Sequence, residues 1–228
     1  LRPTVDQMRG DVVPAIDGLL DPDTEEALLA AALIARAKVE RTVPGHDPAP
    51  LRARVSSFLR RDLKGADAPR VAEAAALALG LLGDAGATNT LLGLALDDEE
   101  GRAHVGGPVP SRLRAFAAYA LGLLGERTPD VDVRDAVRRG LLEVLERAPS
   151  TELDVRIGAV RALAVVPFPR PEPAARSRRA GVTRLDPATV VARLWRFVDE
   201  DGSVPADRGS ALLRAQIPIA ASRIDRDL

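Results

Sequence analysis

The segment VAEAAALALGLLGD at 71–84 returns 42 residues later as LRAFAAYALGLLGE at 113–126, with eight of the 14 positions identical. A second step of 42 reaches VRIGAVRALA at 155–164, where Ala162-Leu163 align with Ala120-Leu121 and Ala78-Leu79. Self-similarity at a fixed spacing of roughly 20–50 residues marks a chain made by stacking one small unit, because no single unit can bury its apolar face alone. A related copy stands upstream in PAIDGLLDPDTEEALLAAALIA at 14–35. There a short apolar helix is followed by a turn at Asp21-Pro22-Asp23. Asp23 is then placed to cap an Ala-rich helix, with Glu26 three residues on in the capping-box position.

The repeating unit is helical. Hydrophobic residues make up 46% of the chain and aromatic residues only 3%, so the core is built from Ala, Leu and Val. Ala and Leu are the best helix formers, and small side chains let helices approach closely. Helical periodicity predicts two alternating sets. One runs over 24–41, 69–82, 111–125, 152–166 and 207–217, and the other over 13–20, 51–63, 88–97, 132–147 and 188–200. In the second set, Leu51, Val55, Phe58 and Leu59 form one apolar stripe, and Val133, Ala136, Val137, Leu141, Val144 and Leu145 another. Gly83 and Gly125 are expected just past helix ends in a left-handed conformation. Gly80 and Gly122 fall inside the last turn, where close approach of a neighbouring helix would offset their poor helix propensity. Pro218 is expected to break or kink the last helix.

Three connections exceed a bare turn: 42–50, the acidic stretch DDEEGRAHVGGPVP at 97–110, and the Pro-rich stretch at 166–187. If the helices alternate along a stack, the first and third emerge on one edge and the acidic one on the other.

The motifs Val13-Pro14-Ala15-Ile16, Asp21-Pro22-Asp23, Ala78-Leu79-Gly80 and Val155-Arg156 resemble the HEAT-repeat consensus, over roughly 12–166. The resemblance is to bacterial HEAT-like repeats of the bilin-lyase (PBS-lyase) type. It implies an all-α, right-handed α-solenoid of stacked antiparallel helix pairs, with about five repeats at 1–41, 51–82, 88–125, 132–166 and 188–217. These would form a single domain over 1–228, as part of a longer chain whose further repeats or a partner would cover the last helix pair. The resemblance also points to an exported or periplasmic protein, with a cytoplasmic one as the alternative. The chain opens on Leu1 rather than Met, so a leader is not assessed from it.

Chemistry is sparse. Without cysteine, thiol catalysis, disulfides and thiolate metal sites are excluded. The longest apolar run is nine residues, Ala27 to Ala35, against roughly 20 for a membrane span. His46 and His104 both fall in Gly/Pro-rich stretches and read as solvent-exposed loop residues. His104 follows Asp97, Asp98, Glu99 and Glu100, yet no EF-hand spacing and no paired His-Glu dipeptides accompany it. Walker, HExxH and GxSxG signatures are missing, and the repeat itself explains the glycines at 80–86. No catalytic residue, metal or cofactor is expected.

Binding is the remaining possibility. With 32 basic against 33 acidic residues, a protein partner is expected rather than nucleic acid. The stretch 51–64 concentrates Arg52, Arg54, Arg60, Arg61 and Lys64 against Asp62 alone. If its helix set lines the concave face, as in HEAT folds, this cluster meets the partner. The stretch 167–187 carries Arg170, Arg176, Arg178, Arg179 and Arg184 against Glu172 and Asp186. Trp195 shares a stripe with Val191, Leu194 and Val198, which reads as core packing, with a binding anchor as the other option. The expected function is therefore a non-catalytic protein-interaction scaffold, with candidate contacts at Arg52, Arg54, Arg60, Arg61, Arg176, Arg178, Arg179 and Trp195. The HEAT-like resemblance leaves two alternatives. One is a nucleic-acid protein of the alkyl-base glycosylase type, for which Trp195 and Asp199 are the only suggestive pair. The other is a bilin-lyase-like protein.

Overall fold

A computed structural model describes residues 3–40, 47–60, 68–168, 185–199 and 208–225. Among them helices are the only regular secondary structure. The N-terminal run comprises α1 (Val5–Gln7), a π-turn over Met8–Val12 and α2 (Val13–Asp17). It starts on a reciprocal cap, in which the Gln7 N–H donates to Thr4 Oγ1 and the Thr4 N–H to Gln7 Oε1. Then follow α3 (Glu26–Glu40), α4 (Ala49–Ser57), α5 (Ala68–Leu82), α6 (Thr88–Leu96), α7 (Glu99–Val105), α8 (Ser111–Arg127), α9 (Val131–Arg147), α10 (Leu153–Leu163), α11 (Pro187–Asp199) and α12 (Arg208–Asp225).

The helices α3, α5, α8, α10 and α12 pack in that order, each on the next. The helices between them in sequence pack beside this row: α2 on α3, α4 on α5, α6 on α8, α9 on α10 and α11 on α12. The 42-residue period is visible in the contacts. A Cβ on Gly80 would stand 2.7 Å from Ala120 Cα, and one on Gly122 would stand 2.7 Å from Ala162 Cα. The same two repeat positions therefore meet at two successive interfaces, main chain against main chain, which is the close approach expected of these glycines. Between α5 and α10, α8 buries both flanks, with Leu113, Ala117, Ala120, Leu121 and Leu124 among its enclosed residues. Burying one such leucine contributes about 2 kcal/mol.

Charged side chains join the helices as well. Arg36 of α3 is buried, donates to Asp17 of α2 at 2.8 Å and pairs with Glu40. Arg114 of α8 donates to the Ala95 carbonyl of α6 at 3.1 Å and pairs with Glu152, which precedes α10. In α9, Arg138 is 1% exposed, donates to the Pro167 carbonyl and lies 4.2 Å over the Phe168 ring. One turn away Asp135 accepts from the Leu185 N–H at 3.0 Å. Buried ion pairs add little net stability against well-packed apolar residues, but breaking one strands its partner.

Several boundaries differ from the sequence prediction. Helix α3 begins at Glu26 rather than at Thr24, and the Asp23 side chain does not cap it. The Asp21 carboxylate instead accepts from the Asp23 N–H, making a turn, and Glu25 Oε1 accepts from Ala27 N. Helix α4 ends at Ser57, although Phe58 and Leu59 beyond it are buried as their stripe requires. The acidic stretch at 97–110 is not a loop, because it contains α7. Asp97 turns left-handed (φ 55°) to end α6, and the Asp98 carboxylate then caps α7 by accepting from Gly101 N at 2.9 Å. Gly83 is left-handed as expected (φ 67°), but Gly125 is not. Helix α8 runs past Gly125 to Arg127 and stops where Pro129 forces Thr128 into extended backbone. Pro218 lies within α12 without ending it. It is exposed, and Leu213 and Ile217 before it and Ala220 and Ile224 after it bury one continuous stripe that holds the helix together. Of the long connections, 41–46 and 169–184 lie outside the described residues, so the predicted sharing of an edge does too. No described helix is long and apolar enough to cross a membrane.

Candidate functional site

On one face of the row, the 42-residue period writes a pattern in side chains that range from exposed to buried. Four positions at helical spacings i, i+3, i+4 and i+7 share a face of each helix. On α5 they are Arg70, Glu73, Ala74 and Leu77; on α8, Arg112, Ala115, Phe116 and Tyr119; on α10, Asp154, Ile157, Gly158 and Arg161. Corresponding residues stand 42 apart. Eleven of these twelve line two adjoining recesses that meet at Phe116.

The first recess, about 540 Å³, lies between α3 and α5 and is closed by Phe116. Its α3 wall is Ala30, Ala31, Ile34 and Ala35, with Lys38 at one end. The second, about 280 Å³, lies between α8 and α10. The residue types explain the relief. One position reads Ala74, Phe116, Gly158, so a ring stands between two small residues. Gly158 lies close on α8, and a Cβ there would be 2.9 Å from the Ala115 carbonyl oxygen. Leu77, Tyr119 and Ile157 form the apolar sides. Tyr119 is 40% exposed, the one large hydrophobic so exposed among the described residues between α3 and α11.

The rim is cationic. Arg112 Nε pairs with Glu73 Oε1 at 2.7 Å, which satisfies that buried carboxylate, yet Arg112 stays 70% exposed beside the Phe116 ring. Lys38 and Arg70 are exposed and have no ion-pair partner among the described residues. Arg161 Nε donates to Gln216 Oε1 at 3.1 Å, which extends the face onto α12. Asp154 is the one exposed carboxylate of the described lining. The lining offers cations, apolar walls and a phenol. Among the described residues it holds no nucleophile with an adjacent base, the arrangement that acyl or phosphoryl chemistry requires.

Those of the residues predicted from sequence that are described, Arg52, Arg54, Arg60 and Trp195, sit elsewhere. Arg52 pairs with Asp84 at the turn after α5, and Arg54 donates to the carbonyls of Asp17 (3.0 Å) and Leu20 (2.8 Å). Both arginines of α4 thus have partners within the fold and join it to neighbouring elements. Arg60 is exposed beyond the end of α4. Arg61, Arg176, Arg178 and Arg179 lie outside the described residues, as do Lys64, Arg170, Arg184 and His46. Trp195 is not core. It is 41% exposed on α11, where Val190 and Leu194 take the buried positions. His104 is not a loop residue either; it is half-buried in α7, with Nε2 3.3 Å from Thr90 Oγ1. Asp97 and Asp98 before it have local roles. Asp97 bonds Arg102 at 2.8 and 3.0 Å and accepts from Val109 N at 2.8 Å. The Arg102 hydrogen bond is the main reason its carboxyl titrates below the usual range, with Val109 assisting.

A third recess, about 370 Å³ between α9 and α11, is lined by charges that pair locally: Arg139 with Asp135 at 2.7 Å and Arg193 with Glu146 at 3.4 Å. Among the described residues, Arg52, Arg54, Arg139 and Arg193 of the helix set expected to face a partner are paired within the fold, and the periodic recesses belong to the other set. The repeat alignment held the missing signal. Positions 70, 73, 74 and 77, carried forward by 42 and by 84, give the twelve residues. A scan against protein-family models, a search of curated proteins and a search of solved structures each find no match.

Proposed function

We propose that this chain is a non-catalytic protein-interaction scaffold, a HEAT-like α-solenoid whose Ala-rich helix row presents the two-recess strip to a protein partner. The observation that carries this reading is the coincidence of two periods. The 42-residue repeat that sets the helix contacts also sets which side chains line the recesses. A catalytic pocket needs one unlike constellation, whereas a surface repeated along a row suits an elongated partner. Affinity in such surfaces concentrates in a few aromatic and arginine anchors. Phe116, Tyr119, Arg112 and Arg161 are of those types.

The test is affinity capture from native extract followed by mass spectrometry, with wild-type protein and a Phe116→Ala/Tyr119→Ala variant compared side by side. A stoichiometric protein partner held by the wild type and lost by the variant is the expected result. Turnover of a small molecule with no partner recovered overturns the reading.

A further inference from the structure

We infer that the strip binds an acidic linear segment of another protein, laid in extended form across α3, α5, α8 and α10 with one apolar side chain in each recess. The inference rests on the scaffold reading and specifies the chemistry of the partner.

Charge argues for the acid. Four cations border the strip, Lys38, Arg70, Arg112 and Arg161, against two carboxylates. One of those two, Glu73, is buried under Arg112 and already paired. What remains at the surface attracts a negative partner. The 70% exposed Arg112 presents its guanidinium above the wall that divides the recesses, so a carboxylate between two apolar anchors meets it.

Geometry argues for an extended segment. Small residues along the recesses, Ala31, Ala35, Ala74, Ala115 and Gly158, admit a peptide main chain at close range. Closely packed helices lie about 8–10 Å apart. The first recess sits between α3 and α5 and the second between α8 and α10, so at the close spacing set by Gly80 and Gly122 their centres are about 16 Å apart, two helix steps. Extended chain rises about 3.3 Å per residue, which sets the anchors roughly five residues apart.

The experiment is panning of a phage-displayed random 12-residue peptide library against the 228-residue protein. Enriched peptides are then made synthetically and their Kd measured by fluorescence anisotropy. The expected consensus has two large apolar residues four to six positions apart with Asp or Glu between or beside them. Binding should weaken at least ten-fold in Phe116→Ala and in Arg161→Glu, and several-fold between 50 and 500 mM NaCl, over which the Debye length shortens about three-fold. Trp195→Ala, on another helix, should leave it unchanged. Circular dichroism melting confirms that each variant is folded. A basic or uncharged consensus, no enrichment, or peptides whose binding ignores Phe116 and Arg161 overturns the inference. Peptides that depend on Trp195 instead overturn it and the strip as the binding surface, while leaving a protein-interaction role standing.

Discussion

At Gly80 an added Cβ would stand 2.7 Å from Ala120 Cα and 2.8 Å from its carbonyl carbon, main-chain atoms that cannot swing aside. Ala is the better helix former by about 1 kcal/mol, but that gain is smaller than the cost of overpacking a fixed backbone. Gly80→Ala should therefore destabilise the protein by about 1–3 kcal/mol. At Gly10, exposed and with nothing within 4 Å of an added Cβ, the same substitution should be neutral or stabilise by a few tenths to about 1 kcal/mol. Urea denaturation of the two variants checks the opposite signs. Gly80 and Gly122 were legible in the sequence because each sits inside a helix, near its end, in a repeated context where a packing contact accounts for it. Gly125 was not. Its local sequence copies that of Gly83, but its conformation is decided three residues later, where Thr128-Pro129 postpones the end of α8. The arginines of α4 show a similar limit: sequence shows their charge but not the carbonyls and carboxylate that meet it.

Among the elements, α7 was the one the sequence concealed. Three glycines and two prolines crowd into 101–110, and only the left-handed Asp97 and the Asp98 cap make a separate helix of the remainder. Gly101 is not a breaker there. It lets α7 cross α6, since a Cβ on it would be 2.7 Å from Leu94 N. Asp97 joins this corner to Arg102 and Val109, and its lowered pKa gives a pH signature. A carboxyl whose folded pKa lies below its unfolded value contributes stability in full above that unfolded value, about pH 4. The contribution is lost as pH falls through the lower folded value. Asp97→Asn keeps the left-handed turn accessible but cannot ionise. The wild-type advantage over this variant in urea midpoint should be present at pH 6 and shrink below about pH 4.

Across the whole molecule, cover is uneven. Helix α8 is held by α5, α6, α9 and α10, whereas α12 rests chiefly on α10 and α11 and carries exposed Leu212 and Ile219. Pro218 also removes one hydrogen bond from α12. Hydrogen–deuterium exchange followed by mass spectrometry should show α12 amides exchanging before those of α8, with α8 the most protected. Equal protection would mean that the row opens only as one unit. The row itself was readable from the spacing of its repeats. The recessed face was not, because the repeat was recognised by its identical core residues while the face is written in residues that differ from copy to copy.

Because main chain meets main chain at Gly80 and Gly122, the spacing between neighbouring helices has almost no slack. The row acts as a ruler with graduations of about 8 Å, whereas two residues of extended chain measure about 6.6 Å. The two scales drift apart by roughly 4 Å over three helix-to-helix steps, more than half of a two-residue step. A strand laid across the strip stays in step for only a few helices, so lengthening it beyond the two recesses should add little affinity. Recognition by this molecule would then favour short motifs over long ones, whatever the number of repeats.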